Sequence, residues 1–217
     1  MKKLIIISTV IFLYTGLYAQ GVNTQLQTSV TKLDEAKTIK DYEQLASTFL
    51  TIAQTQKTQW LPYYYAAFCN AKIGWLKQDS DPDNIEDFAN KAEEEITKAQ
   101  SLIDTSKQKK ELSEIYCVQM ILNQARVFIN PETYGPKYGP TAFGYIQKAK
   151  MANAENPRML YLEGWQKFAT PKMYGGDKKL AKQLLTQAKQ KLSAAPTNTI
   201  EPHWGTKEVE GLLKQLK

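Results

Sequence analysis

The chain has 217 residues, 42% apolar and 23% charged, which suits one medium domain or one repeat array and excludes a chain disordered by composition. One His and two Cys are too few for the usual Cys/His zinc site or a disulfide scaffold, and they argue against a His-based catalytic triad. The net charge of +6 falls to +4 once the two lysines of the first twenty residues are set aside, and no basic-aromatic motif accompanies it, so nucleic acid is not an expected partner.

Residues 1–19 have the order of a secretory leader. Lys2 and Lys3 precede a largely apolar run from Leu4 to Leu17, and Ala19 offers a small residue at the cut before Gln20. The run is shorter than the roughly 20 apolar residues a membrane span needs. An uncleaved anchor is the alternative, because Leu17 is large for its place three residues before the cut. The expected organisation is a leader over 1–19 and one domain over 20–217. The expected location is periplasmic or secreted, with membrane contact only through the leader during export.

The rest reads as helix, since runs of alternating β-branched residues are absent. The helical signal is clear over Glu111–Ile129. There Ile115, Val118, Leu122, Ala125 and Ile129 step by three and four residues, and Cys117, Met120, Ile121 and Phe128 widen the stripe to two buried sides. A pattern of Ala, an apolar residue four on and Ala three further on occurs four times: Ala46-Leu50-Ala53, Ala92-Ile96-Ala99, Ala142-Ile146-Ala149 and Ala181-Leu185-Ala188. The copies are offset by 46, 50 and 39 residues, a repeat-like spacing. Candidate partner helices precede each copy, at Asn23–Thr38, Pro62–Leu76, Glu111–Ile129 and Pro157–Ala169. Extra residues are expected between the helices of three pairs, at Lys77–Asp87, Asn130–Pro140 and Thr170–Asp177.

This pattern resembles the second helix of a tetratricopeptide repeat, and Asn156-Pro157-Arg158 with Tyr161 and Gly164 resembles the start of its first helix. The resemblance implies an all-α, right-handed array of about four helical hairpins, an α-solenoid, with repeats longer than the 34-residue consensus. Asn156-Pro157-Arg158, Gly164-Trp165, Thr170-Pro171 through Tyr174-Gly175-Gly176, and Pro202-His203-Trp204-Gly205 resemble exported repeat proteins of Gram-negative bacteria. Some relatives of that kind accompany periplasmic solute-binding proteins and transporters.

Several residues invite a functional reading beside a structural one. Asp79, Asp81 and Asp83 alternate as in a calcium loop, but Asn84, Asn90 and Pro82 break that motif, and Asp83 with Glu86 has the spacing of a helix capping box. No metal or cofactor is therefore expected. His203 has no acid-base partner in sequence, and its Pro-His-Trp-Gly setting reads as a turn that packs Trp204 on the last repeat. Cys69 and Cys117 fall on neighbouring first helices, where helix spacing favours buried free thiols over a disulfide. Among Tyr63, Tyr64 and Tyr65, one ring should pack in the core and one face the concave surface.

The Gly- and Pro-bearing segments Asn130–Pro140 and Thr170–Asp177 carry the candidate binding residues, Tyr134, Tyr138 and Tyr174 with Lys137 and Lys172. In stacked hairpins these segments emerge on one edge, so the three tyrosines are expected near one another at the mouth of the concave face. Their rings either anchor a partner there or pack down on their own hairpins. The leading functional expectation is an interaction module that binds a protein or peptide partner on its concave face. The alternative is an accessory small-molecule-binding component of a transport system. An enzyme is the least favoured class, because no nucleophile-base pair, metal cluster or phosphate loop is visible.

Overall fold

The computed structural model describes residues 24–194 and 199–216, and the leader and its cleavage position lie outside the described residues. The described chain is all-helical, without strands. Nine helices are present among the described residues: α1 (24–35), α2 (Ile39–Thr55), α3 (Trp60–Leu76), α4 (Ile85–Ser101), α5 (Lys109–Ile129), α6 (Pro131–Ala152), α7 (Pro157–Ala169), α8 (Lys178–Ser193) and α9 (Thr206–Gln215). The first eight form four hairpins, α1/α2 to α7/α8, and α9 packs on α8.

Short polar residues start the helices by satisfying the otherwise unpaired N–H groups of the first turn. Thr38 and Asp41 form a reciprocal capping box at α2. Asn130 accepts from Glu132 and Thr133 at α6, with Pro131 at the first helical position, where its missing N–H costs nothing. Asn156 with Pro157 repeats this device at α7, and Asp177 caps α8.

The Ala-apolar-Ala copies fall on α2, α4, α6 and α8, and their residues are buried except for Leu50, which is half-buried. Their small side chains let each second helix press onto its own first helix and onto the next one, so that α2 meets α3, α4 meets α5 and α6 meets α7. First helices also pack directly on each other, α3 on α5 and α5 on α7. The first helices therefore form the tighter, inner layer of the stack, and the second helices the outer one. Gly164 shows how close the layers come. A Cβ at that position would lie 2.9 Å from the Leu185 side chain on α8.

Two expectations are corrected. The segment Asn130–Pro140 is not a loop but the beginning of α6. Pro136 and Pro140 sit on its exposed side, four residues apart, so their missing N–H groups fall on one solvent-facing edge of the helix. The inward side carries an unbroken stripe of Tyr134, Tyr138, Ala142, Ile146 and Ala149 at helical spacing. Asp83 does not cap α4. A 3-10 turn, Pro82–Asn84, runs directly into that helix, Asp83 is exposed, and Asp81 is the acid that is used, accepting from Lys77 and Asn84.

Candidate functional site

The inner layer presents two groups of aromatic residues, one near each end of the first helices. Near their N-terminal ends, Tyr64 and Tyr65 of α3 are fully buried while Tyr63 is half-buried, and Phe68 and Tyr161 are buried beside them. This half is covered by the chain itself. Residues 199–205 lie across the inner face, where Trp204 stacks on Phe68 with ring centroids 4.6 Å apart and meets Tyr161 edge-on. The Trp204 indole N–H donates to the Tyr64 hydroxyl (2.8 Å), and the Tyr64 hydroxyl donates to Glu114 of α5 (3.2 Å). Glu114 in turn accepts from the buried Arg158 of α7. Tyr65 donates to the Ile200 carbonyl at 2.7 Å. One polar chain thus ties α3, α5 and α7 to this segment, with every charged member paired as burial requires.

His203 belongs to the same strap. Its Nε2 lies 3.0 Å from Asp34 of α1 and its Nδ1 lies 2.7 Å from the Glu201 carbonyl. The Pro-His-Trp-Gly turn therefore packs Trp204 on the second hairpin as well as on the last. Gly205 completes it at φ 113, a conformation that other residues adopt only under strain. Cys69 and Cys117 are free and buried, and burial pushes both thiols well above their ordinary pKa.

Near the C-terminal ends of the first helices the arrangement is different. Trp75 of α3, Phe128 of α5 and Trp165 of α7 are each half-buried and meet one another. Trp75 lies 5.3 Å from Phe128 and 4.6 Å from Trp165, both edge-on, and Phe128 lies 6.4 Å from Trp165. Three successive first helices thus contribute one ring each to a continuous aromatic surface that keeps an exposed side. Such a surface can stack a flat apolar molecule without moving backbone. Sequence reasoning passed over Trp75, Phe128 and Trp165 as site residues. The signal was a recurring doublet, Gly74-Trp75 and Gly164-Trp165. Each glycine lets its helix approach a neighbour, with a Cβ at Gly74 lying 3.3 Å from Ala125, while the adjacent indole turns to the inner face.

The residues nominated from sequence occupy two separate places. Tyr134 and Tyr138 stack with centroids 5.6 Å apart on α6, and Tyr138 also lies over the guanidinium of the buried Arg126 (5.2 Å) and beside the Lys137 ammonium (4.6 Å). With Glu86 and Thr133 they line a shallow cleft of about 270 Å³. Tyr174 and Lys172 stand on a 3-10 turn after α7, and Tyr174 makes no ring contact with the other two tyrosines among the described residues. The structure pairs two of the three rings and leaves the third apart.

Among the described residues no group of His, Cys, Asp and Glu could hold a metal ion, and no helix is long and apolar enough to cross a membrane. No protein-family model and no curated protein matches the chain. Among solved structures it is similar to the HusA haemophore from Porphyromonas gingivalis, with 28% identity and a TM-score of 0.76 over 88% of this chain and 90% of the haemophore.

Proposed function

We propose that the protein is an exported binder of a flat, largely apolar small molecule of the haem or porphyrin class, with no catalysis of its own. The carrying observation is the half-buried surface of Trp75, Phe128 and Trp165 on a helical array shared with a haemophore. Rings at fixed helix positions lose little freedom on binding, so stacking on them yields affinity at low entropic cost. The fit is to the macrocycle. The sole His is held by Asp34 and a backbone carbonyl in the covered half, and both thiols are buried, so no such side chain is asked to ligate iron. Concave-face binding of a protein or peptide has less support, because residues 199–205 already fill half of the inner face that such a partner would need.

The test is titration of the purified protein with haemin and with metal-free protoporphyrin, followed by visible absorbance and tryptophan fluorescence quenching. Both ligands are expected to bind. Trp75→Ala and Trp165→Ala are each expected to weaken binding by about tenfold or more. Absence of binding for both ligands, or full affinity in the double variant, overturns the reading. Export is checked by N-terminal sequencing of the protein recovered outside the cytoplasm, which is expected to begin at Gln20.

A further inference from the structure

The turn between α7 and α8 combines two features that no packing requirement explains. Met173 and Tyr174 are 81% and 72% exposed, and they stand side by side at its tip. Large apolar side chains exposed to this degree are few among the described residues; Met151 is the other, and Phe143 is exposed by about half as much. The turn is also rigid. Tyr174 and Gly176 donate to the Pro171 carbonyl, Asp177 donates to Lys167, and the Lys167 ammonium holds the Gly175 carbonyl at 3.0 Å. Gly175 takes φ 90, and a Cβ on Gly176 would lie 1.8 Å from the Thr170 carbonyl oxygen. The chain is thus fixed in a shape that holds both side chains out in water, where they gain nothing from the fold.

Lysines flank this tip. Lys172 lies within the turn, and Lys178, Lys179 and Lys182 follow on the first turns of α8, all exposed. None of the four forms an ion pair among the described residues, whereas Lys189 and Lys191 further along α8 pair with Glu210 and Glu155. The acid nearest the tip, Asp177, is engaged in accepting from Lys179 and Leu180 as the helix cap. Protein interfaces are depleted in lysine, while apolar tips ringed by lysine suit a boundary between anionic headgroups and acyl chains. Tyrosine, with an apolar ring and a polar hydroxyl, is enriched at that depth.

We propose that this turn docks the protein on an anionic lipid surface, with Met173 and Tyr174 entering the headgroup layer and Lys172, Lys178, Lys179 and Lys182 meeting lipid phosphates. The docking is independent of what the aromatic surface binds. The turn follows directly on α7, the helix that bears Trp165.

The experiment is co-sedimentation of the purified protein with vesicles of phosphatidylcholine alone and with vesicles of phosphatidylcholine and phosphatidylglycerol. The protein is expected to sediment with the anionic vesicles and to be released by salt. Met173→Ser with Tyr174→Ser, and separately Lys178→Glu with Lys182→Glu, are each expected to weaken vesicle binding by about tenfold or more at low salt, with thermal unfolding and porphyrin affinity unchanged. The altered side chains are exposed, so these variants keep the fold. Failure to sediment with anionic vesicles, equal sedimentation with neutral ones, or undiminished binding of both variants overturns the proposal. Capture of the tip by a protein of the cell envelope in the absence of vesicle binding also overturns it and assigns the turn to a protein partner.

Discussion

At the N-terminal ends of the first helices, the rings of Tyr64, Tyr65, Phe68 and Tyr161 lie beneath Trp204 and the strap that carries it; at the C-terminal ends, Trp75, Phe128 and Trp165 meet one another and keep an exposed side. The same three helices, α3, α5 and α7, build both halves. What separates them is polar wiring. The covered half contains a chain of partners from Trp204 through Tyr64 and Glu114 to Arg158, and each member left unpaired would cost free energy in the interior. The exposed half is held by ring-on-ring packing and by contact of Trp75 and Trp165 with the core beneath, which tolerates an exposed face. The first half is thus committed to stability, and the second retains the surface proposed for a ligand.

The largest expected effect comes from cutting the wiring. Glu114→Ala leaves Arg158 buried without its carboxylate and is expected to cost about 3–5 kcal/mol in urea unfolding. Porphyrin affinity per folded molecule is expected to stay unchanged. A loss of affinity matched to the loss of stability would show that the two halves are one unit.

A second effect of similar order should touch both halves alike. Glu95 on α4 is buried on the outer side of α3, where both of its oxygens accept from Asn70. Burial pushes its carboxyl up to about 7 against the lowering influence of Asn70. A carboxyl raised in the folded state is bound to its proton more tightly there than in the unfolded chain. Its contribution is therefore full below about pH 4.5 and is lost as pH rises through about 7, on the order of 3 kcal/mol in all. Unfolding midpoints at about pH 5 and about pH 8 measure this, and Glu95→Gln should flatten the difference. A pH response that survives in Glu95→Gln would place its origin elsewhere.

The third prediction contrasts two tryptophans directly. Trp204→Ala removes a half-buried ring and leaves the Tyr64 hydroxyl without its donor, an expected loss of about 2 kcal/mol of stability with ligand binding intact. Trp75→Ala should show the inverse, a loss of about tenfold or more in porphyrin affinity with a smaller change in stability. Equal effects of the two substitutions on both readouts would erase the distinction between the halves.

Much of this arrangement is legible along the chain, and the part that is not has a physical reason. The four Ala-apolar-Ala copies report packing within a helix pair, so periodicity finds them, and the first helices lie within three residues of the expected bounds. The turn that packs Trp204 on the last hairpin is legible from Pro-His-Trp-Gly, but its reach to the second hairpin is not, because those contacts join residues 135 to 140 positions apart, Tyr65 with Ile200 and Tyr64 with Trp204. The start of α6 was masked by two prolines and two glycines. Their signal as turn formers outweighed the period-four stripe of Tyr134, Tyr138 and Ala142 that continues into the helix. Trp75 and Trp165 were obscured in the same way, since an aromatic at a helical position reads as core until the neighbouring layer is known to stop short of it.

The smallest expected effect tests where the exposed half ends. Tyr138 covers the guanidinium of Arg126, which is only 4% exposed and bonds Asn90 and Glu93 of α4. Tyr138→Ala uncovers that charge and removes a stacking partner of Tyr134, an expected loss of about 1 kcal/mol of stability. Tyr174→Ala, which removes a ring that is 72% exposed, should leave stability unchanged. Neither substitution is expected to alter porphyrin affinity, because neither ring touches Trp75, Phe128 or Trp165 among the described residues. A tenfold fall in affinity for Tyr138→Ala at unchanged stability would carry the ligand surface past Phe128 and onto α6. The tyrosines nominated from sequence would then be its outer edge, and the division between a wired half and a ligand half would have to be redrawn around Arg126, the buried cation that Tyr138 now screens.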